Sequence, residues 1–196
     1  MYKDPPAWDR VNSFALVSYI PEPLAGFLDS LRRELVPNCF LHAHLTILPP
    51  RAISCSPEKA WEAVRTLVPH FAPFEVELSR VEVFPVTDVI YVDLSRGRAE
   101  LQLMHDGMNL AGLNCTEPYP YHPHVTLAQE LKSDEVDELA RVARTRWADS
   151  KLSKIFRVER AVFVQNTRRN EWIDLGESTL GQGESRLVTE LVDLVS

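Results

Sequence analysis

The chain has 196 residues, of which 45% are apolar and 25% are charged, and this composition is typical of a globular protein. It excludes disordered, collagen-like and coiled-coil chains. The 21 basic and 28 acidic residues give a formal net charge of −7, which argues against a broad nucleic-acid cradle because phosphate neutralisation needs clustered Lys and Arg.

Apolar periodicity predicts the order strand, helix, strand, helix, strand in the first half of the chain. The predicted ranges are 13–20, 21–36, 39–48, 57–70 and 74–84. Ser56 and Pro57 are typical N-cap and first-turn residues, so they predict where the second helix begins. The alternation of apolar and polar residues in 74–84 indicates a strand with one face in water.

The same order repeats in the second half, over 88–95, 98–112, 121–128, 134–148 and 155–165. The offset of about 75 to 82 residues indicates an internal duplication with two copies. A further strand, 171–176, is predicted to form a hairpin with the preceding one, and 184–195 to form a terminal helix. We therefore expect a single domain of two lobes, about 12–84 and 88–176, with a C-terminal helix.

The cysteines and the N-terminus indicate the cellular setting. Three cysteines without C-x-x-C spacing signal neither a disulfide framework nor a zinc knuckle. The N-terminus is too polar for a signal peptide, and no apolar run is long enough to span a bilayer. We expect a cytoplasmic protein.

The middle predicted strand of each half contains the pattern H-x-H-x-T. The two strings are His42-Ala43-His44-Leu45-Thr46 and His122-Pro123-His124-Val125-Thr126. In a chain with six histidines this recurrence at matching places is far beyond chance. Strand alternation places both histidines and the threonine of each string on one face, opposite an apolar face. Pro123 lacks an amide donor, which predicts an edge strand or the start of its pairing.

If the two polar faces meet across a cleft, histidines from opposite sides would flank one bound group. This arrangement suits displacement at phosphorus, where one neutral imidazole accepts a proton from the attacking group and a protonated one donates to the departing oxygen. Unperturbed histidine pKa values near 6.5 supply both forms near neutral pH without a metal. The hydroxyls of Thr46 and Thr126 would then bind the non-bridging oxygens.

The strings His44-Leu45-Thr46-Ile47 and His124-Val125-Thr126-Leu127 resemble the paired motif of the 2H phosphoesterase superfamily. That superfamily contains 2'-5' RNA ligase-like and cyclic nucleotide phosphodiesterase-like proteins. The resemblance covers about residues 12–176. It implies an internally duplicated, bilobal α+β fold, with antiparallel sheets lining a central cleft and helices on the outside.

The resemblance also implies a reaction and its residues. It implies a phosphoesterase without metal or cofactor, acting on 2',3'-cyclic phosphate or 2'-5' phosphodiester bonds of nucleotides or RNA ends. The catalytic residues would be His44 and His124, and the phosphate-binding residues Thr46 and Thr126. Which histidine is the acid and which the base stays open.

Four further residues are candidate substrate contacts: His42, His122, Tyr121 and Arg51. Tyr119, Tyr121 and Trp172 are aromatic residues that would stack a base. Many similar proteins have a basic residue where this chain has Gln129, which argues against tight binding of a long polyanion. We expect a nucleotide or RNA terminus as partner, no long duplex, no membrane and a monomer.

Two other interpretations remain. The two H-x-H strands would suit a metal-dependent hydrolase, although no carboxylate accompanies either string and a metal does not explain the threonines. The second interpretation is a non-catalytic module that binds a nucleotide or RNA end through the same cleft.

Overall fold

The computed structural model describes residues 7–39, 41–109 and 112–183. The strands in these ranges are β1 (Arg10–Tyr19), β2 (His44–Arg51), β3 (Phe74–Val83), β4 (Ile90–Arg96), β5 (Val125–Ala128), β6 (Ile155–Val158), β7 (Arg160–Thr167) and β8 (Trp172–Thr179). The helices are α1 (Leu24–Leu35), α2 (Pro57–Leu67), α3 (Arg98–Met108) and α4 (Val136–Asp149). The predicted α+β fold is confirmed, and the predicted helix 184–195 lies outside the described residues. None of the described helices has the length and apolar character needed to cross a bilayer.

The strands form two four-stranded antiparallel sheets, ordered β2-β1-β7-β8 and β5-β4-β3-β6. The prediction of one strand over 155–165 is wrong, because the chain leaves the second sheet after Val158 and enters the first at Arg160. Each sheet therefore includes a strand from the other half of the chain: β3 lies beside β4, and β7 lies beside β1. The sheets thus do not coincide with the lobe bounds predicted from the repeat.

The two strands that carry the repeated motif are edge strands of their sheets. Both begin later than predicted, at His44 and at Val125. Pro123 has no N–H for a ladder, and the N–H of Ala43 donates to Asp29 Oδ1 at 2.6 Å instead of to a strand. The expectation of an edge strand at Pro123 is confirmed. Edge position also explains why β2 accommodates Pro49 and Pro50.

The apolar faces of the motif strands lie in the core, as predicted. Leu45, Ile47, Val125 and Leu127 are each at most 1% exposed, while the histidines and threonines between them are partly exposed. The apolar stripe of α1 and residues from both sheets join them in one continuous core. The alternation thus fixes which side chains of β2 and β5 point away from the core.

Candidate active site

The two edge strands β2 and β5 contact each other, and a helix of each half packs on the opposite strand, α3 on β2 and α1 on β5. Cross-strand partners share a face of a sheet. Tyr19 pairs with His44 in the first sheet, and Tyr91 pairs with Thr126 in the second. Each sheet therefore presents a histidine, a threonine and a tyrosine on the face opposite its core.

His44 and His124 have the same local hydrogen bonding. Nδ1 of His44 lies 2.7 Å from the carbonyl oxygen of His42, and Nδ1 of His124 lies 2.6 Å from that of His122. A carbonyl oxygen only accepts, so each Nδ1 carries the proton. In the neutral rings Nε2 is consequently the basic nitrogen, which is the tautomer that proton transfer at Nε2 requires.

Helix α1 holds the first motif in place. The carboxylate of Asp29 accepts the N–H of Ala43 at 2.6 Å and lies 3.2 Å from Nδ1 of His42. Nη1 of Arg32 donates to the carbonyl oxygen of His42 at 3.3 Å, and Arg32 is only 4% exposed. Since that carbonyl also binds His44, α1 orients the His44 ring indirectly.

The second motif is held by β4 and the start of α3. Nε2 of His122 lies 3.1 Å from Asp93 Oδ1 and 3.3 Å from Arg98 Nη1. Arg98 Nη2 donates to the same Asp93 oxygen at 2.5 Å. His42 and His122, predicted as candidate substrate contacts, thus each lie against an acidic side chain with an arginine nearby.

The histidine pKa values are set by burial and by neighbouring charges. Withdrawal from water is the main cause that lowers the pKa of His44 to about 4. Arg32 and His124 act in the same direction, whereas the bond to His42 and the charge of Asp29 oppose the shift. Burial is also the main cause that lowers the pKa of His124, with smaller contributions from His122 and Arg98. Both rings are therefore neutral at pH 7, and a charged group bound beside either ring would shift the pKa of that ring.

An aromatic pair fixes the ring of His124. Phe84 and Tyr91 stack at 4.0 Å between centroids, and His124 meets both edge-on at 5.1 and 5.3 Å. Nε2 of His124 lies 3.2 Å from the hydroxyl of Thr126. The neutral Nε2 accepts this hydroxyl proton, so the threonine is already aligned with the reactive nitrogen.

Tyr121, predicted as a candidate substrate contact, joins the two motifs. Its hydroxyl donates to the carbonyl oxygen of Thr46 at 2.7 Å, and its ring stacks on His105 at 4.0 Å with an interplanar angle of 11°. Tyr121 therefore ties the segment before β5 to the middle of β2. It holds the two edge strands in register across the site.

Arg51, predicted as a candidate substrate contact, is bonded to other parts of the protein. The side chain is buried and ion-paired with Glu117. Further bonds to Pro49 O at 2.9 Å, Asn109 Oδ1 at 2.6 Å and Leu113 O at 3.1 Å bring the number of its N–H donors in use to four of five. Arg51 is a structural cross-link between β2 and the segment after α3.

Four charged residues of the site carry no local signal in the sequence: Asp29, Arg32, Asp93 and Arg98. Only Asp93 has an indirect one, because it lies two residues after Tyr91 on β4 and therefore on the same face. The other three come from helices whose position against the motifs depends on the tertiary fold.

The arrangement of the acidic, histidine and cysteine side chains bears on metal binding. Over 7–39, 41–109 and 112–183, no three His, Cys, Asp or Glu side chains are grouped so as to hold a metal ion. The Nδ1 atoms of His44 and His124 are both occupied by carbonyl oxygens. Bonds of this kind at Nδ1 leave Nε2 as the nitrogen that carries the lone pair of each neutral ring.

The amino-acid sequence of the chain is similar to those of known proteins. The sequence profile of the 2'-5' RNA ligase superfamily matches residues 20–170. A Bacillus licheniformis protein, provisionally named a phosphoesterase, is 26% identical over 136 residues, covering 68% of this chain and 80% of its own. A Bacillus pumilus protein of the same provisional name is 26% identical over 141 residues, covering 69% and 81%.

Solved structures show the same fold. E. coli LigT complexed with 3'-AMP superposes with a TM-score of 0.60 at 13% identity, covering 87% of this chain and 99% of that one. A Thermus thermophilus protein superposes with a TM-score of 0.57 at 16% identity, covering 88% and 99%. The fold is thus shared by proteins of very different sequence.

Proposed function

The chain belongs to the 2'-5' RNA ligase superfamily, and on that premise we propose that it hydrolyses 2',3'-cyclic phosphate or 2'-5' phosphodiester bonds of nucleotides or RNA ends without a metal. The observation that carries the proposal is the matched tautomer of His44 and His124 on facing edge strands. The relatives provisionally named phosphoesterases support the reaction class. The complex of LigT with 3'-AMP supports a nucleotide ligand.

In the proposed mechanism His44 is the general base and His124 the general acid. Because the pKa of His44 is lowered to about 4, its Nε2 is unprotonated and accepts a proton from the attacking water. The new P–O bond forms as the bond to the departing ribose oxygen breaks, and Nε2 of protonated His124 donates a proton to that oxygen. The substrate's negative charge favours protonation of His124 on binding.

The threonines complete the proposed site. The hydroxyl of Thr126 already lies beside Nε2 of His124, and Thr46 occupies the matching position on β2. Hydroxyl donors from opposite sides would bind the non-bridging oxygens of the phosphoryl group while charge develops on them. The tie from Tyr121 to Thr46 keeps these two donors at a fixed separation.

The decisive experiment measures turnover of a 2',3'-cyclic nucleotide and a 2'-5'-linked dinucleotide by the purified protein, with and without EDTA. We expect turnover that EDTA leaves unchanged. Turnover lost to EDTA and restored by zinc would instead establish the metal-dependent hydrolase. Nucleotide binding without turnover of either substrate would establish the binding module.

The pH profile provides a prediction from the pKa shifts. His44 acts as a base above a pKa of about 4, and His124 acts as an acid below a pKa that is itself lowered from 6.5. We expect kcat/KM to form a bell with its maximum between about pH 4 and pH 6.5, reporting the coupled pair in the free protein. Circular dichroism at each pH shows that the chain remains folded, and a maximum above about pH 7.5 would exclude this assignment of roles.

We further propose a small nucleotide or a single RNA end as partner and a monomer in the cytoplasm. Cys39, Cys55 and Cys115 are free thiols, which suits a reducing compartment. The net charge of −7 disfavours a long polyanion, whereas a single terminus needs only the local site.

A further inference from the structure

A cavity of about 500 Å³ lies beside the first motif. It is bounded by the end of β1, by α1 and by the start of β8. We call it the acidic cleft and define it by six of its lining residues: Tyr19, Asp29, His42, Glu171, Trp172 and Asp174. A volume of this size is enough for a small ligand or for one part of a larger one.

The acidic cleft opens next to the proposed catalytic base. Tyr19, which lines it, is the cross-strand partner of His44. Asp29 and His42, which also line it, belong to the segment that orients the His44 ring. A substrate with its phosphoryl group at His44 therefore has its next group within reach of this cleft.

The charge of the cleft lining indicates which part of the substrate would bind there. Three carboxylates line the acidic cleft, from Asp29, Glu171 and Asp174, and its lining contains neither Lys nor Arg, although Glu171 is paired with Arg169 at 3.4 Å outside the lining. A phosphate would be repelled there, whereas N–H donors would be bound by carboxylate acceptors. The cleft is therefore suited to a part of the substrate other than its phosphate.

Asp174 is the acceptor best placed for a ligand. Its Oδ1 accepts the hydroxyl of Tyr19 at 2.6 Å, which orients the carboxylate. Burial together with the charge of Asp174 raises the pKa of Tyr19, so this phenol stays a neutral donor. Within the described part of the chain no bond engages Oδ2 of Asp174, which leaves it available.

The aromatic residues of the cleft suit a flat ring. Trp172 packs on the small apolar patch formed by Val17, Val162 and Val164 with Ala15, so its indole is supported from below. Tyr19 and His42 meet edge to face at 6.2 Å between centroids. A supported indole beside a fixed carboxylate is an arrangement that stacks a nucleobase and binds its edge.

We infer that the acidic cleft binds the base of the substrate nucleotide and that Asp174 selects guanine over uracil. Guanine presents two adjacent N–H donors, N1–H and the 2-amino group, which match Oδ2 of Asp174 and the lone pair of Oδ1 that the Tyr19 hydroxyl leaves free. Uracil presents one N–H between two carbonyl oxygens, which a carboxylate repels. This inference rests on the proposed function and adds the identity of the substrate base.

The test compares kcat/KM for 2',3'-cyclic GMP and 2',3'-cyclic UMP. We expect the parent protein to prefer the guanine substrate by about tenfold, the effect of one hydrogen bond to a charged group. Asp174→Asn is expected to reduce this preference to about twofold or less, because the amide offers only one acceptor. Glu177→Gln removes the same charge from the same strand, where Glu177 is paired with Arg160 outside the cleft, and is expected to keep the preference.

The outcomes separate this inference from the proposed function. Equal kcat/KM for both substrates in the parent protein would overturn the guanine preference and leave the phosphoesterase intact. If neither substrate is turned over, the proposed function fails, and calorimetric binding of guanosine and uridine 3'-monophosphates then decides the inference alone. Equal affinities in that measurement, or a preference that survives Asp174→Asn, would also overturn it.

Discussion

Replacing either His44 or His124 with Asn is expected to lower kcat for a 2',3'-cyclic nucleotide by about 10²–10⁴-fold, the range for loss of one general acid or base. Asn retains an N–H donor near the position of Nδ1, so the bond to the carbonyl of His42 or His122 is kept. It lacks Nε2, the nitrogen that transfers the proton. Single-turnover and steady-state kinetics on folded variants measure the loss.

Two further variants make this result specific. His70, in the 3-10 turn that follows α2, lies outside both motifs, and His70→Ala is expected to keep parental kcat. The double variant His44→Asn/His124→Asn is expected to lose much less than the product of the single losses, because the two rings act as one unit. Parental turnover in either single variant would refute the paired acid–base mechanism.

Replacing Arg51 with Met is expected to lower the free energy of unfolding by about 3–5 kcal/mol, as when one partner of a buried ion pair is removed. Met fills much of the volume but removes the guanidinium donors, so that among the described residues Glu117 keeps only His105 and Asn109 Oδ1 keeps only the N–H of Cys115. Urea unfolding at pH 7, followed by circular dichroism, measures the change. The exposed pair of Arg65 with Glu62 provides the control, and Arg65→Met is expected to unfold with the parental midpoint.

A second substitution keeps this prediction testable if Arg51→Met does not fold. Glu117→Gln removes the charge but leaves an acceptor for Arg51 and His105, so its loss of stability is expected to be smaller. The double variant with Arg51→Met is expected to be more stable than Arg51→Met alone, because the carboxylate that has lost its arginine is then absent as well. A parental unfolding midpoint with a raised KM in Arg51→Met would instead support the predicted substrate contact.

The repeated motif was the most predictable feature of the site, because strand alternation is a local property. The two histidines and the threonine of H-x-H-x-T occupy alternate positions, so they share one face of a strand whichever strand lies beside it. The polar faces of β2 and β5 therefore follow from the string itself. The missing amide of Pro123 likewise predicts an edge position for β5 without knowledge of its partner.

Arg51 and Tyr121 show where such reasoning stops. An arginine after a proline pair and a tyrosine before a motif both suggest groups that face a ligand, yet their partners are Glu117 and the carbonyl of Thr46. Neither partner has a fixed spacing in the chain. Whether a polar side chain faces substrate or another part of the protein depends on contacts between distant segments.

Local sequence patterns therefore sufficed for most of the helices and strands, though not for the break between Val158 and Arg160, and for the duplication and the histidine and threonine faces, since each depends on residues close together in the chain. The folded chain alone determines that β3 and β7 cross into the sheet of the other half, and that Asp29 and Arg32 hold one motif while Asp93 and Arg98 hold the other. It also determines the acidic cleft beside His44. These features arise from pairing and packing between remote segments. Hydrophobic periodicity cannot predict them, because it indicates which face of an element a residue occupies but not which residue it contacts.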